Sequence, residues 1–251
     1  MGATEMNAIL TLSGVVSGYG KMTILNETTA AIRRGAITTV IGPNGAGKST
    51  LFKTVFGLLP VRAGSIAFNG RDTTNRSPRQ MLDAGMSYVP QGRNIFPELT
   101  VRHNLELGGV ALADQSGLSA KVKSMMNRFD ILRDKANAQA GTLSGGQQKL
   151  LEIARGLLLD PKLMLIDEPS IGLSPLMVRE VFTILRDLRD KGVTILLIEQ
   201  NAKQALQISD FGLVLEQGRT RIEDAANTIL EDPRIARLFL GGGLADAEQT
   251  P

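Results

Sequence analysis

Residues 42–49 read Gly42-Pro43-Asn44-Gly45-Ala46-Gly47-Lys48-Ser49. This is a complete GxxxxGK[ST] loop, which works only between a buried strand and the start of a helix, so it dictates an α/β arrangement around itself. An apolar run from Ile37 to Ile41 precedes it, and a helical pattern from Lys48 to Leu59 follows. Gly42, Gly45 and Gly47 let backbone N–H groups curl around a phosphate chain without Cβ clashes. The helix that follows aims its positive dipole end at the same anion. Lys48 can reach the β- and γ-phosphates, and the Ser49 hydroxyl is placed to ligate Mg²⁺. Asn44 and Thr50 complete the expected nucleotide contacts. A Gly-rich turn that merely joined strand to helix would require neither the Lys-Ser pair nor this flanking context. The sequence predicts a nucleoside triphosphate site.

Two further strings have phosphate-site chemistry. Leu163-Met164-Leu165-Ile166-Asp167-Glu168 is a continuous apolar strand ending in two acids. Such a run suits a strand buried on both faces, whose acids emerge at the carboxyl edge of the sheet. Asp167 is expected to hold Mg²⁺, directly or through water, and Glu168 to act as general base or water-orienting group. Taken alone, Asp-Glu-Pro could equally open a helix as an N-cap. Leu143-Ser144-Gly145-Gly146-Gln147 stands before a helical pattern running to Leu159. A Ser-Gly-Gly turn at a helix start is a second anion cradle, or else a plain N-cap by Ser144. Two cradles but one GxxxxGK[ST] loop imply that Ser144, Gly145, Gly146 and Gln147 serve a nucleotide held by another subunit.

Composition narrows the class. The chain of 251 residues has no cysteine, one histidine (His103) and a formal charge of +3. Disulfides, thiolate metal sites and histidine clusters are thereby excluded, and the charge is too small to argue for nucleic acid. No apolar stretch approaches the roughly 20 residues needed to cross a bilayer and no signal segment is evident, while the absence of cysteine fits a cytoplasmic protein. Leu10–Val16 and Met22–Ile32 read as strands around a Gly18-Tyr19-Gly20 turn. Ser65–Phe68 closes on Asn69-Gly70, a hairpin signal. Met86–Val89 and Val193–Ile198 read as buried strands, and Pro175–Asp190 and Ala202–Ile208 as helices. From Thr100 to Ala140 the pattern is helical and strand-free. The fold class is α/β: a mainly parallel core sheet, an antiparallel β part near the N-terminus and an inserted helical subdomain.

Taken in order, Gly42–Ser49, Gln91, Leu143–Gln147 and Leu163–Glu168 resemble the ATP-binding-cassette (ABC) ATPase family, over nearly the whole chain. The resemblance implies one ATPase domain over residues 1–241, a helical subdomain at about 92–145, and a flexible tail at 242–251. It further implies a head-to-tail dimer that sandwiches two ATP molecules, each between one loop and its partner's Leu-Ser-Gly-Gly-Gln string. Tyr19 matches the aromatic residue that stacks on adenine, although a strand-end Tyr is an ordinary feature. Gln91 matches a glutamine that ligates Mg²⁺ or water and couples to the membrane partner. Ser170–Pro175 matches the loop that crosses the dimer interface.

Val89–Val101, Ile198-Glu199-Gln200-Asn201-Ala202 and Asp232–Gly241 are similar to the smaller ATPase of branched-chain amino acid importers. That branch implies a second ATPase subunit, a heterodimer more naturally than a homodimer. It also implies transmembrane permease subunits, a periplasmic or extracellular solute-binding protein, and a place on the cytoplasmic face of the membrane. Urea and short-amide importers share much of the pattern, and a soluble iron–sulfur assembly scaffold is the alternative of a different class. One departure stands out. Most family members place a switch histidine after the Glu199 position, whereas this chain has Gln200, expected to position the attacking water. His103 is no substitute by position and reads as an exposed helix-start residue.

Overall fold

The computed structural model describes residues 7–112 and 116–235. The expected tail at 242–251 and the Phe239-Leu240-Gly241 ending lie outside the described residues. In chain order the elements begin with β1 (Ala8–Tyr19), β2 (Met22–Arg33), β3 (Ile37–Ile41), α1 (Lys48–Val55), β4 (Val61–Phe68) and β5 (Arg71–Asp72). There follow α2 (Pro78–Asp83), β6 (Met86–Val89), α3 (Val101–Gly108), α4 (Leu118–Arg128), α5 (Asp130–Asp134) and α6 (Gly145–Leu157). The last are β7 (Leu163–Asp167), α7 (Pro175–Asp190), β8 (Thr194–Ile198), α8 (Ala202–Gln207), β9 (Phe211–Glu216), β10 (Arg219–Ala225) and α9 (Ala226–Glu231). The chain forms two compact units, one from residues up to Ser77 and from Thr194 onward, the other from Pro78 to Val193.

The first unit contains an antiparallel sheet in the order β2-β1-β4-β5. It also contains a mainly parallel group in which β3 pairs in parallel with β8 and β9, while β10 closes the edge antiparallel to β9. Every residue of β3 and β8 is buried, as in strands covered on both faces, the threonines Thr38, Thr39 and Thr194 included. Against the β3 and β9 strands pack Ala202, Leu206, Ala226, Ile229 and Ile235, forming one core with Ile41 and Val214. The second unit holds the parallel pair β6–β7 and the helices α2 to α7.

Several expectations shift in detail. The N-terminal strands run longer than read, and their turn falls on Gly20 and Lys21, because Tyr19 already pairs with Met22. The helix expected over Lys48–Leu59 stops at Val55, where Gly57 turns left-handed at φ 81° and the Gly57 N–H bonds the Thr54 carbonyl. The Gln147 helix starts earlier, at Gly145, because Ser144 caps it. Residues 209–235, to which the sequence pattern assigns no element, hold β9, β10 and α9.

One backbone contact ties the first unit together. The turn between β9 and β10 passes through Gln217 (φ 49°) and Gly218 (φ 73°). The Gly218 N–H donates to the Ala46 carbonyl inside the phosphate loop at 2.9 Å. The Gly218 carbonyl accepts from the Asn26 N–H at 2.9 Å and the Thr28 hydroxyl at 2.6 Å, both on β2. A Cβ on Gly218 would collide with the Ile24 carbonyl oxygen.

On the rim of the same unit, both oxygens of Glu223 accept the Ala31 N–H at 3.2 Å. Burial raises its pKa above the ordinary 4.5, against the opposing pull of the Ala31 bond and of Arg33. A carboxyl whose folded pKa is raised contributes stability below the unfolded value and loses it as pH rises through the folded value. The Glu223→Gln variant has no such loss. Its melting temperature relative to the parent should therefore climb between pH 4 and pH 7, and a pH-independent difference would remove Glu223 from the stability profile.

Candidate functional site

The phosphate loop sits between β3 and α1 in the first unit. Lys48 folds back across it, its Nζ donating to the Gly42 carbonyl at 2.8 Å and the Pro43 carbonyl at 3.1 Å. Gly45 and Gly47 are left-handed, at φ 80° and 102°, and Gly47 is the residue from which α1 springs. A Cβ on Gly42 would collide with the Leu215 carbonyl of β9, whereas one on Gly45 would meet open space. Asn44 and Gly45 are exposed, Ser49 is half-buried, and Thr50 is buried in the first turn of α1. Tyr19, 45% exposed at the end of β1, receives a hydrogen bond from Lys53 Nζ at 3.3 Å, and that ammonium lies 5.7 Å from the ring centroid. A cation beside the ring strengthens an aromatic platform that is open to stacking.

β8 runs parallel to β3 with Ile198 beside Val40, so Glu199 and Gln200 follow it at the same sheet edge as the phosphate loop. Glu199 is buried, and its Oε2 accepts the Gln200 N–H at 3.2 Å. Gln200 itself is exposed, and Asn201 caps α8 by accepting from the Gln204 N–H. Because Gln200 leaves the buried strand just before a capped helix, its backbone is pinned while its amide is solvent-accessible.

In the second unit β7 ends at Asp167, only 2% exposed, which accepts from the Tyr88 hydroxyl at 3.3 Å. The next residue, Glu168, is left-handed at φ 46°. A non-glycine side chain at such a backbone angle costs about 1–3 kcal/mol and is held there by its surroundings. The Gln91 amide donates to Glu168 Oε2 at 2.7 Å. The structure thus brings Gln91 and Glu168 into direct contact, with Asp167 adjacent along the chain.

Ser144 has the extended backbone of an N-cap and forms a capping box with Gln147: its hydroxyl accepts the Gln147 N–H, and Gln147 Oε1 accepts the Ser144 N–H at 3.2 Å. The plain capping role is therefore real. Gly145 and Gly146 remain the first residues of α6, whose N–H groups have no partner inside the helix. Beyond Glu168, Ile171 and Leu176 are exposed apolar side chains at 45% and 56%, in and just after the 170–175 loop. His103 is an exposed residue in the first turn of α3, its N–H donating to the Thr100 cap.

Sequence reasoning missed several residues that build these sites. Lys53 sits beside Tyr19, and Leu215 and Gly218 buttress the phosphate loop from far along the chain. Lys149 and Glu152, both buried on α6, carried a visible signal: two opposite charges three apart on a helix otherwise buried and apolar. An apolar groove of about 400 Å³ also lies along Pro90 and Asn94, with Phe96, Leu107, Val110 and Arg155 on its walls. Phe96 and Val110 are exposed there, and Arg155 Nη1 is buried with no hydrogen-bond partner among the described residues.

Comparison with known proteins places this geometry. The family model described as ABC transporter matches residues 25–171. The high-affinity branched-chain amino acid transport ATP-binding protein BraG of Pseudomonas aeruginosa is 38% identical, over 93% of this chain and 100% of its own length. The lipopolysaccharide export system ATP-binding protein LptB of Escherichia coli is 32% identical, over 93% of this chain and 98% of its own. A crystal structure of the ADP conformation of MJ1267, an ATP-binding cassette of an ABC transporter, superposes with a TM-score of 0.83 at 29% identity, covering 94% of this chain and 99% of that one.

The loop geometry separates two glycines that look alike in sequence. Gly45→Ala should cost only the left-handed backbone penalty of about 1–2 kcal/mol. Gly42→Ala must in addition push the loop off β9, an overpacking cost of about 1–3 kcal/mol. Urea unfolding should rank Gly42→Ala clearly below Gly45→Ala. Equal midpoints would mean that Leu215 does not buttress the loop.

Proposed function

The chain belongs to the ATP-binding-cassette transporter family, and on that premise we propose that it is the ATPase subunit of an importer for branched-chain amino acids. Its reaction is ATP hydrolysis. What supports the substrate class is the likeness to BraG over that protein's whole length. The likeness to LptB, an export-system protein, runs lower at similar coverage. The 1–241 segment acts as one ATPase domain with its helical subdomain at about 92–145. Among the described residues no helix is long and apolar enough to cross a membrane, which accords with a peripheral subunit on the cytoplasmic face.

The residues divide the work as follows. Tyr19 stacks on adenine. Gly42, Asn44, Gly45, Gly47 and Thr50 line the phosphate cradle, and Lys48 exchanges its loop carbonyls for phosphate oxygens. Ser49 offers a hydroxyl, Gln91 an amide oxygen and Asp167 a carboxylate, each a hard oxygen ligand of the kind that suits Mg²⁺. No cluster of three acidic, histidine or cysteine ligands exists among the described residues, so these residues would share the ion with substrate phosphates. When bound, Mg²⁺ neutralises charge on the β- and γ-oxygens. Glu168 takes the proton of the attacking water, and the neutral Gln200 amide orients that water. Ser144, Gly145, Gly146 and Gln147 serve the nucleotide of a second ATPase subunit, most simply a related but different chain. Ile171 and Leu176 supply apolar surface for that contact.

Transmembrane permease subunits are the remaining partners, with an external solute-binding protein acting through them. The groove along Pro90 and Asn94 suits a permease segment. Its exposed Phe96 and Val110 gain by burial.

The test is uptake of radiolabelled leucine, isoleucine and valine by cells lacking this chain. The parent chain should restore uptake, while Glu168→Gln should bind ATP but slow hydrolysis by about 10²–10⁴-fold, the usual worth of a positioned base, and restore none. Unchanged leucine uptake in the deletion, with urea or short-amide uptake lost instead, would reassign the substrate. Co-purification only with soluble iron–sulfur assembly proteins would overturn the transporter reading.

A further inference from the structure

The α6 helix carries an ion pair with both side chains nearly inaccessible, 6% exposed for Lys149 and 3% for Glu152. Their charged atoms are 2.5 Å apart, and each also grips the loop after β6. Lys149 Nζ donates to the Gly92 carbonyl at 2.9 Å, and Glu152 Oε1 accepts the Asn94 N–H at 2.6 Å. The Asn94 side chain in turn donates to the Pro90 carbonyl at 3.1 Å and the Gln91 carbonyl at 3.3 Å. The backbone on both sides of Arg93, and the carbonyl of Gln91 itself, are therefore fixed by bonds that lead back to α6. This is the helix that opens with Ser144, Gly145 and Gly146.

We propose that the Lys149–Glu152 pair is a positioning clasp, holding the 91–94 loop so that the Gln91 amide is aimed at the Glu168 carboxylate. A buried ion pair is a poor stability device, because an apolar pair of similar volume commonly does as well or better. The clasp is explained by what it holds. Gln91 has three side-chain torsions, and an amide on a free loop would spend little time at 2.7 Å from Glu168. With the backbone gripped on the residue after it, only those torsions remain to be ordered. Glu168 is likewise held, at φ 46°, so the contact joins two constrained residues. Lys149 and Glu152 act through Gln91 and touch no substrate. The inference rests on the catalytic roles assigned above to Gln91 and Glu168.

The experiment uses the full chain assembled with its partner subunits and measures kcat and KM for ATP. In Lys149→Met/Glu152→Leu both charges leave together, so no lone buried charge opposes folding. The melting temperature and KM should stay near the parent values while kcat falls about 10–100-fold, the usual worth of an outer positioning group. In a Gln91→Ala background the same double change should lower kcat no further, since the group it positions is gone. Should the apolar pair prevent folding, Glu152→Gln keeps size and the Asn94 bond, removes the countercharge of Lys149, and must still lower kcat with KM unmoved. Parent-level kcat in a folded double variant, or an additive loss in the Gln91→Ala background, overturns the clasp. If Gln91→Ala alone keeps full kcat, the catalytic reading of Gln91 fails instead, and the clasp falls with it.

Discussion

Three hydrogen bonds in the first unit converge on the backbone of Gly218. Its N–H holds the Ala46 carbonyl inside the phosphate loop, and its carbonyl holds β2 through Asn26 and Thr28. Space for that junction exists because the residue has no Cβ to strike Ile24. On the neighbouring strand, Leu215 presses its carbonyl against Gly42 at the mouth of the loop. The phosphate loop is thus a short, glycine-rich segment with little rigidity of its own, clamped from β9 and from the β9–β10 turn. Buried backbone groups must find partners, and here the partners come from segments far apart in sequence. The cradle inherits its shape from the antiparallel sheet and from the parallel strands.

Within that frame the polar groups of the site already have partners. Lys48 binds the carbonyls of its own loop, and Gln91 binds Glu168. Exchanging such bonds for bonds to phosphate or water changes the net free energy little per bond, typically about 0.5–1.5 kcal/mol for neutral pairs and more for charged ones. On the proposed reading, Lys48 and Glu168 would give up these bonds to phosphate and water at low cost. The strained φ of Glu168 has the same sense: a backbone angle that folding alone does not favour persists where surrounding bonds fix it.

Much of this was legible in the sequence, and the reason is contiguity. The phosphate loop packs strand end, turn chemistry, Lys and Ser into residues 42–49, so one string specifies a whole site. The same holds for the Ser144 cap and the Asp167-Glu168 strand end. What stayed hidden depends on contacts between distant segments. β9 is a short apolar run that periodicity alone cannot assign, and β10 is mostly polar, becoming a strand by pairing with β9. Their turn uses Gln217-Gly218, without the Asn or Asp that usually marks a left-handed first position. The ends of α1 and α6 moved because a left-handed Gly57 and a capping Ser144 decide them, each a local feature stronger than hydrophobic period.

The central claim is that the clamped loop is the site at which ATP is held for hydrolysis. The most direct measurement is a crystal structure of the chain with Mg²⁺ and a non-hydrolysable ATP analogue. The account predicts the adenine against the Tyr19 ring and phosphate oxygens within hydrogen-bond distance, about 2.7–3.2 Å, of the loop N–H groups. Lys48 Nζ should then have left the Gly42 and Pro43 carbonyls for the phosphates. A nucleotide seated elsewhere, with Lys48 still bonded to those two carbonyls, would contradict it.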